Sequence, residues 1–159
     1  MDISGRVQAT VQANTANMPH AHSMSSAHCE RVLIVNHDAH FLKVIAFSLS
    51  LHGIDVATAT TAESAFSIIA AGFAPSAIIV DLRLSGTKQG EDLICELRAF
   101  PQTMRVPLLA VSDSPQHLQK IGTMGVIDRA LSKPFTLGDL DLVLHDLCGG
   151  PPHPFPRLI

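Results

Sequence analysis

Five short apolar runs alternating with five amphipathic stretches predict an α/β fold. The expected architecture is a doubly wound parallel sheet of five strands, order 2-1-3-4-5, with helices on both faces. Two observations carry this. The runs, such as Ala77, Ile78, Ile79 and Val80 leading into Asp81, are apolar throughout, which suits strands buried on both faces. Each run is followed by polar residues and then by a helical period with its own start and stop signals, the pattern of a wound parallel sheet. Right-handed crossovers allow this strand order, which makes strands one and three neighbours with a switch point between them.

The elements follow in order. Residues 32–35 form the first strand and end in Asn36-His37-Asp38. Asp38 N-caps a helix reaching to about residue 52, with Phe41, Leu42, Ile45 and Leu49 as its apolar stripe. Val44, Phe47 and Leu51 add a second apolar flank, expected to be buried, and Gly53 ends the helix. Residues 54–59 form the second strand. Thr60-x-x-Glu63 reads as a capping box for a helix facing inward with Ala62, Ala65, Phe66 and Ile69. The third strand ends at Asp81, followed by a polar loop to Gly90. A helix over 91–100 turns Leu93, Ile94 and Leu97 inward, its acidic start suiting the macrodipole. The fourth strand, 107–111, runs into Ser112-Asp113. Ser114-Pro115 starts a short helix with Leu118 and Ile121. The fifth strand, 126–131, contains Asp128 and Arg129 and is therefore placed at an edge. Thr136 and Asp139 cap the last helix, with Leu137, Leu140, Leu144 and Leu147 as its stripe.

At 159 residues the chain suits one domain with tails. The expected division is a disordered tail over 1–29, a domain over 30–148 and a Pro-rich tail over 149–159. In the first tail Met18 and Met24 are alternative starts, and His20, His22, His28 and Cys29 read as solvated residues rather than a soft-metal site. A content of 16% charged residues with net charge −3 gives no field for nucleic acid. No run is long enough to span a membrane, and no secretory h-region opens the chain. Three scattered cysteines, with Cys95 expected near the core, suit a reducing cytoplasm.

Four polar clusters are thereby brought to one rim of the sheet: Asn36-His37-Asp38, Asp81, Ser112 and Lys133. With VLIV before a polar triplet, IIVDLRL with Gly90 nine residues after Asp81, AVSD, and Lys-Pro-Phe before the last helix, residues 31–147 resemble the receiver domain of two-component response regulators, a flavodoxin-like fold. The resemblance implies that Asp81 accepts a phosphoryl group from a histidine kinase or histidine phosphotransfer protein. It implies that Lys133 and Ser112 contact that group, that the backbone carbonyl of Arg83 is a metal ligand, and that Pro134 follows a cis peptide. It also implies a non-enzymatic, cytoplasmic phosphorelay component, with a homodimer or output protein docking on the face of strands four and five. No nucleic acid or membrane is implied.

The chain departs from that family at two places. Asn36 and His37 stand where two adjacent acids usually hold Mg²⁺, and Asp38 comes one position late. Ala130 stands where a switching aromatic is usual. Asp81 is then balanced by Lys133 alone, and Mg²⁺, though possible, is expected to bind weakly. A degenerate receiver used as a phosphorylation-independent docking module is the alternative. An Asp-nucleophile phosphohydrolase is disfavoured by Arg83, where such sites want a second acid. A flavin carrier is disfavoured by the lack of Trp and Tyr.

Overall fold

The computed structural model of the chain describes residues 29–149. Along the chain run β1 (Arg31–Val35), α1 (Ala39–Leu51), β2 (Asp55–Ala59), α2 (Ala62–Ala70), β3 (Ala77–Asp81), α3 (Gly90–Ala99), β4 (Leu108–Ser112), α4 (Pro115–Thr123), β5 (Arg129–Ser132) and α5 (Leu137–Leu147). The strands form one sheet in the order β2-β1-β3-β4-β5, every pairing parallel. Among the described residues no helix is long and apolar enough to cross a membrane.

Alternation along the strands divides the core into two layers. Leu33, Val35, Ile78, Val80, Leu108 and Ala110 face α2, α3 and α4. Val32, Ile34, Ala77, Ile79, Leu109, Val111 and Leu131 face α1 and α5. The three central strands are covered on both sides, which is why their sequences lack an apolar–polar alternation. Helix ends follow local chemistry: Asp38 caps α1, Ser114 caps α4 with Pro115 in its first turn, and Thr136 with Asp139 boxes the start of α5.

Several sequence expectations need correction. The box that starts α2 is Thr61 with Ser64, not Thr60 with Glu63; a hydroxyl pair makes the same reciprocal bonds. β5 begins only at Arg129. Asp128 instead accepts from Leu108 N at 2.9 Å and from Arg98 Nη2 at 2.8 Å, so its carboxylate bridges β4 to α3. The second flank of α1 is not buried: Val44, Phe47 and Leu51 are 47%, 68% and 70% exposed. Leu42, Ile45 and Leu49 already fill that helix's inward face. Leu137 is likewise exposed, and Val143 takes its place in the buried stripe of α5. Cys95 is an exposed free thiol. Cys29, assigned to the tail by composition, is buried and disulfide-bonded to Cys148, so these cysteines are not scattered thiols. The tail histidines, Met18, Met24 and residues 150–159 lie outside the described residues.

Candidate functional site

The alternation that builds the core also decides which polar side chains meet. β1 turns Val32 and Ile34 to the α1/α5 side, β3 turns Ala77 and Ile79, and β5 turns Leu131. Two residues further along each chain come Asn36, Asp81 and Lys133, on that same side at the carboxyl edge of the sheet. Ala110 faces the opposite layer, and Ser112 continues that side.

Asp81 is the hub and is only 2% exposed. Its Oδ1 accepts the Arg83 N–H at 2.8 Å. Its Oδ2 accepts from Asn36 Nδ2 at 3.0 Å and from the Lys133 ammonium, with His37 Nδ1 at 3.7 Å. His37 Nδ1 lies 3.2 Å from the Arg83 carbonyl. A carbonyl only accepts, so Nδ1 carries the proton. Beneath the carboxylate lies an apolar floor of Ile34, Phe41, Ile79, Val111 and Phe135, where Phe41 and Phe135 meet edge to face at 5.9 Å. A cleft of about 480 Å³ opens above, bordered by His37, Asp38, Arg83, Asp113 and Lys133. The buried carboxylate thus meets the Lys133 ammonium and is hydrogen-bonded from several sides, the partners that burial of such a group requires.

A hard divalent cation asks for several oxygen ligands in near-octahedral array, and the oxygens gathered here already accept hydrogen bonds from the protein. Asn36 Oδ1 accepts the Asp38 N–H at 2.9 Å. The Arg83 carbonyl accepts from His37. Asp38 is committed to α1, taking the N–H groups of His40 and Phe41 at 2.9 and 3.1 Å. Among the described residues no group of three or more His, Cys, Asp or Glu side chains is disposed to hold a metal.

The Phe41 N–H, joined by that of His40 and by the His37 ring, holds the Asp38 carboxyl below the usual carboxylate range against an opposing effect of burial. A depressed carboxyl contributes stability above its unfolded pKa and loses it as pH falls through the folded one. Asp38→Ala is therefore expected to lower the melting temperature at neutral pH, with a deficit that shrinks toward about pH 3; paired thermal melts at the two pH values check this.

Residues 32–145 match the model of the response regulator receiver domain family. The chain belongs to that family. No curated protein matches it at a significant level. Solved structures show the same fold at low identity. A Francisella response regulator receiver domain is 24% identical with a TM-score of 0.65, covering 75% of this chain and 96% of that one. A chemotaxis response regulator of Vibrio cholerae is 22% identical with a TM-score of 0.66, covering 74% and 97%. The receiver domain of a Pseudomonas aeruginosa sensor histidine kinase, solved with a magnesium ion coordinated in its active-site cleft, is 24% identical with a TM-score of 0.66, covering 76% and 98%.

Within this receiver domain the structure brings together Asn36, His37, Asp81, Arg83 and Lys133, and the Lys133–Pro134 peptide is cis. Ser112 reaches the rim, but its hydroxyl accepts the Ser114 N–H at 3.0 Å and is engaged there rather than with Asp81. Ala130 is partly buried against the α2/α3/α4 layer. Two features escaped the sequence reading. The Arg83 side chain reaches Asp113 at 3.6 Å across the cleft mouth, a pairing of exposed groups from different loops. Gly90 starts α3 pressed against the backbone of Asp81 and Leu82; a glycine in the first turn of a helix, where it is a poor former, was the available signal.

Proposed function

We propose that Asp81 is the phosphoacceptor of a two-component phosphorelay, taking its phosphoryl group from the phosphohistidine of a histidine kinase or phosphotransfer protein without a tightly held divalent ion. The observation that carries this reading is the meeting of Lys133 Nζ and Asn36 Nδ2 on one oxygen of the buried Asp81 carboxylate, beside an open cleft lined by Asn36, His37 and Lys133. In the transfer, an Asp81 carboxylate oxygen bonds to phosphorus as the donor's P–N bond breaks, and the departing imidazole nitrogen keeps the electron pair and takes a proton. Lys133 and His37, both beside the carboxylate, are the proposed donors to the charge on the equatorial oxygens. His37 Nδ1 stands near both Asp81 and the Arg83 carbonyl, two groups expected to hold the family's metal, so Mg²⁺ affinity is proposed to be weak. Incubation with a phosphohistidine donor, with and without chelator, tests this.

A second reading is a degenerate receiver that docks a partner irrespective of phosphate. Asn36, His37 and Ala130 favour it, since alanine has no rotamer with which to report a phosphoryl group and signalling then requires shifts of helices or loops. Both readings need a docking face. The proposed contact for a histidine-bearing donor includes the exposed Val44, Phe47 and Leu51 stripe of α1, while an output partner or second copy uses the β4/β5 side. Phe47→Asp is expected to weaken donor binding at least about tenfold, the scale of an aromatic anchor, with the melting temperature unchanged. Titration of donor against labelled receiver reads it.

A further inference from the structure

Cys29 and Cys148 are 119 residues apart in sequence, yet they fasten the two ends of the domain together. Cys29 precedes β1 and is 4% exposed, packed with Val32, Val143, Leu144 and Leu147. Cys148 is the C-cap of α5 and half-buried. Their Cα atoms are 5.4 Å apart, a separation that a disulfide spans without backbone movement, and the two sulfurs are bonded.

The same surroundings accommodate the reduced pair. Cys29 Sγ lies 3.7 Å from the Leu144 carbonyl, so a thiol there has an acceptor for its S–H. The Cys148 N–H donates to that carbonyl at 3.0 Å, which holds the end of α5 independently of the sulfur bond. Access is from the Cys148 side. Cys148 is partly exposed, and Cys29 borders an open groove of about 890 Å³ between the end of α1 and α5, lined also by His52, Ile54, Leu142 and His145.

We propose that Cys29 and Cys148 form a reversible thiol–disulfide site, opened and closed by a low-molecular-weight thiol of the glutathione class. In opening, an incoming thiolate bonds to Cys148 Sγ as the S–S bond breaks, and Cys29 sulfur leaves with the electron pair and takes a proton. A second thiolate then attacks the mixed disulfide, releasing the small disulfide, and Cys148 sulfur takes a proton. Two small thiols are oxidised and two protein sulfurs reduced; the small disulfide drives the reverse. Closure fastens the start of β1 to the end of α5 across nearly the whole domain, so the bond removes much freedom from the unfolded chain. The redox state thereby sets how firmly α5 is held, the helix that follows Lys133-Pro134-Phe135.

The test uses the full chain carrying Cys95→Ser, which removes the exposed thiol as a source of intermolecular bonds. The protein is equilibrated without denaturant in buffers of graded reduced-to-oxidised glutathione ratio, alkylated, and weighed intact. The expected result is conversion between zero and two alkylated sulfurs as the ratio changes, with the closed form melting roughly 10 °C higher. A Cys29→Ala, Cys148→Ala chain in the same background is expected to fold and to melt at one temperature in every buffer. Two alkylated sulfurs at all ratios would overturn the proposal, because the bond then does not form. A bond that opens only in denaturant would overturn it too, as would a redox-dependent melting temperature in the double-alanine chain.

Discussion

Asp81→Asn is expected to take up no phosphoryl group from a phosphohistidine donor, while the unaltered receiver is labelled even with a chelator present. The amide is not a nucleophile for phosphorus, whereas the carboxylate sits among Asn36, Lys133 and the Arg83 N–H with a cleft above it. The loss is chemical rather than structural. Lys133 is 26% exposed at its side chain, but the amide leaves a buried donor short of an acceptor, so about 1–3 kcal/mol of stability is lost, and a thermal melt shows the variant still folded. Wild-type labelling in chelator is expected within about tenfold of that in magnesium, or about 1.4 kcal/mol of barrier, because protein donors already surround Asp81. His37→Asp should reverse this: it adds a carboxylate beside Asp81 and releases the Arg83 carbonyl, making labelling depend on a divalent ion. Labelling is followed by phosphate-affinity gel or intact mass. A folded wild-type chain that no phosphohistidine donor labels would leave the docking reading standing instead. Labelling of Asp81→Asn would place the acceptor elsewhere.

Gly90→Ala is expected to be the most destabilising small substitution, lowering the free energy of unfolding by about 3 kcal/mol or more. The reason is space rather than backbone conformation. A methyl group at Gly90 would fall on the Asp81 carbonyl oxygen and 2.6 Å from Leu82 Cα, and backbone cannot turn aside as a side chain can. The helix start is also fixed there, because Gly90 N donates to the Leu82 carbonyl at 3.1 Å. α3 must therefore lift away or the end of β3 must move, and Asp81 moves with it. Gly86→Ala makes the comparison: its nearest neighbour would be 3.8 Å away, but its φ of +89° is left-handed, so the cost is strain of about 1 kcal/mol. Urea denaturation of the two variants separates these causes. Equal midpoints would show that α3 is seated less closely than described.

Much of the site could be read from sequence because β-strands repeat every two residues. An apolar run that ends in Asp81 fixes the position of that carboxylate, and the same rule places Asn36 and Lys133 on its side of the sheet. It also turns Ser112 the other way, a consequence that motif matching did not reveal. Local chemistry was equally legible where one side chain had one nearby use, as with Asp38, Ser114 and Thr136. It misled at α2, where Thr60 and Thr61 both offered a hydroxyl and the choice fell on Thr61 through Ser64.

Element order, the wound sheet and the rim on which Asp81, Asn36 and Lys133 gather all follow from short-range periodicity and capping. Long-range packing, by contrast, turns His37 Nδ1 to the Arg83 carbonyl, leaves Phe47 and Leu51 facing solvent, and brings Cys29 to Cys148. Each of these depends on which surfaces remain free after distant elements have packed. A pattern confined to neighbours along the chain carries no record of that.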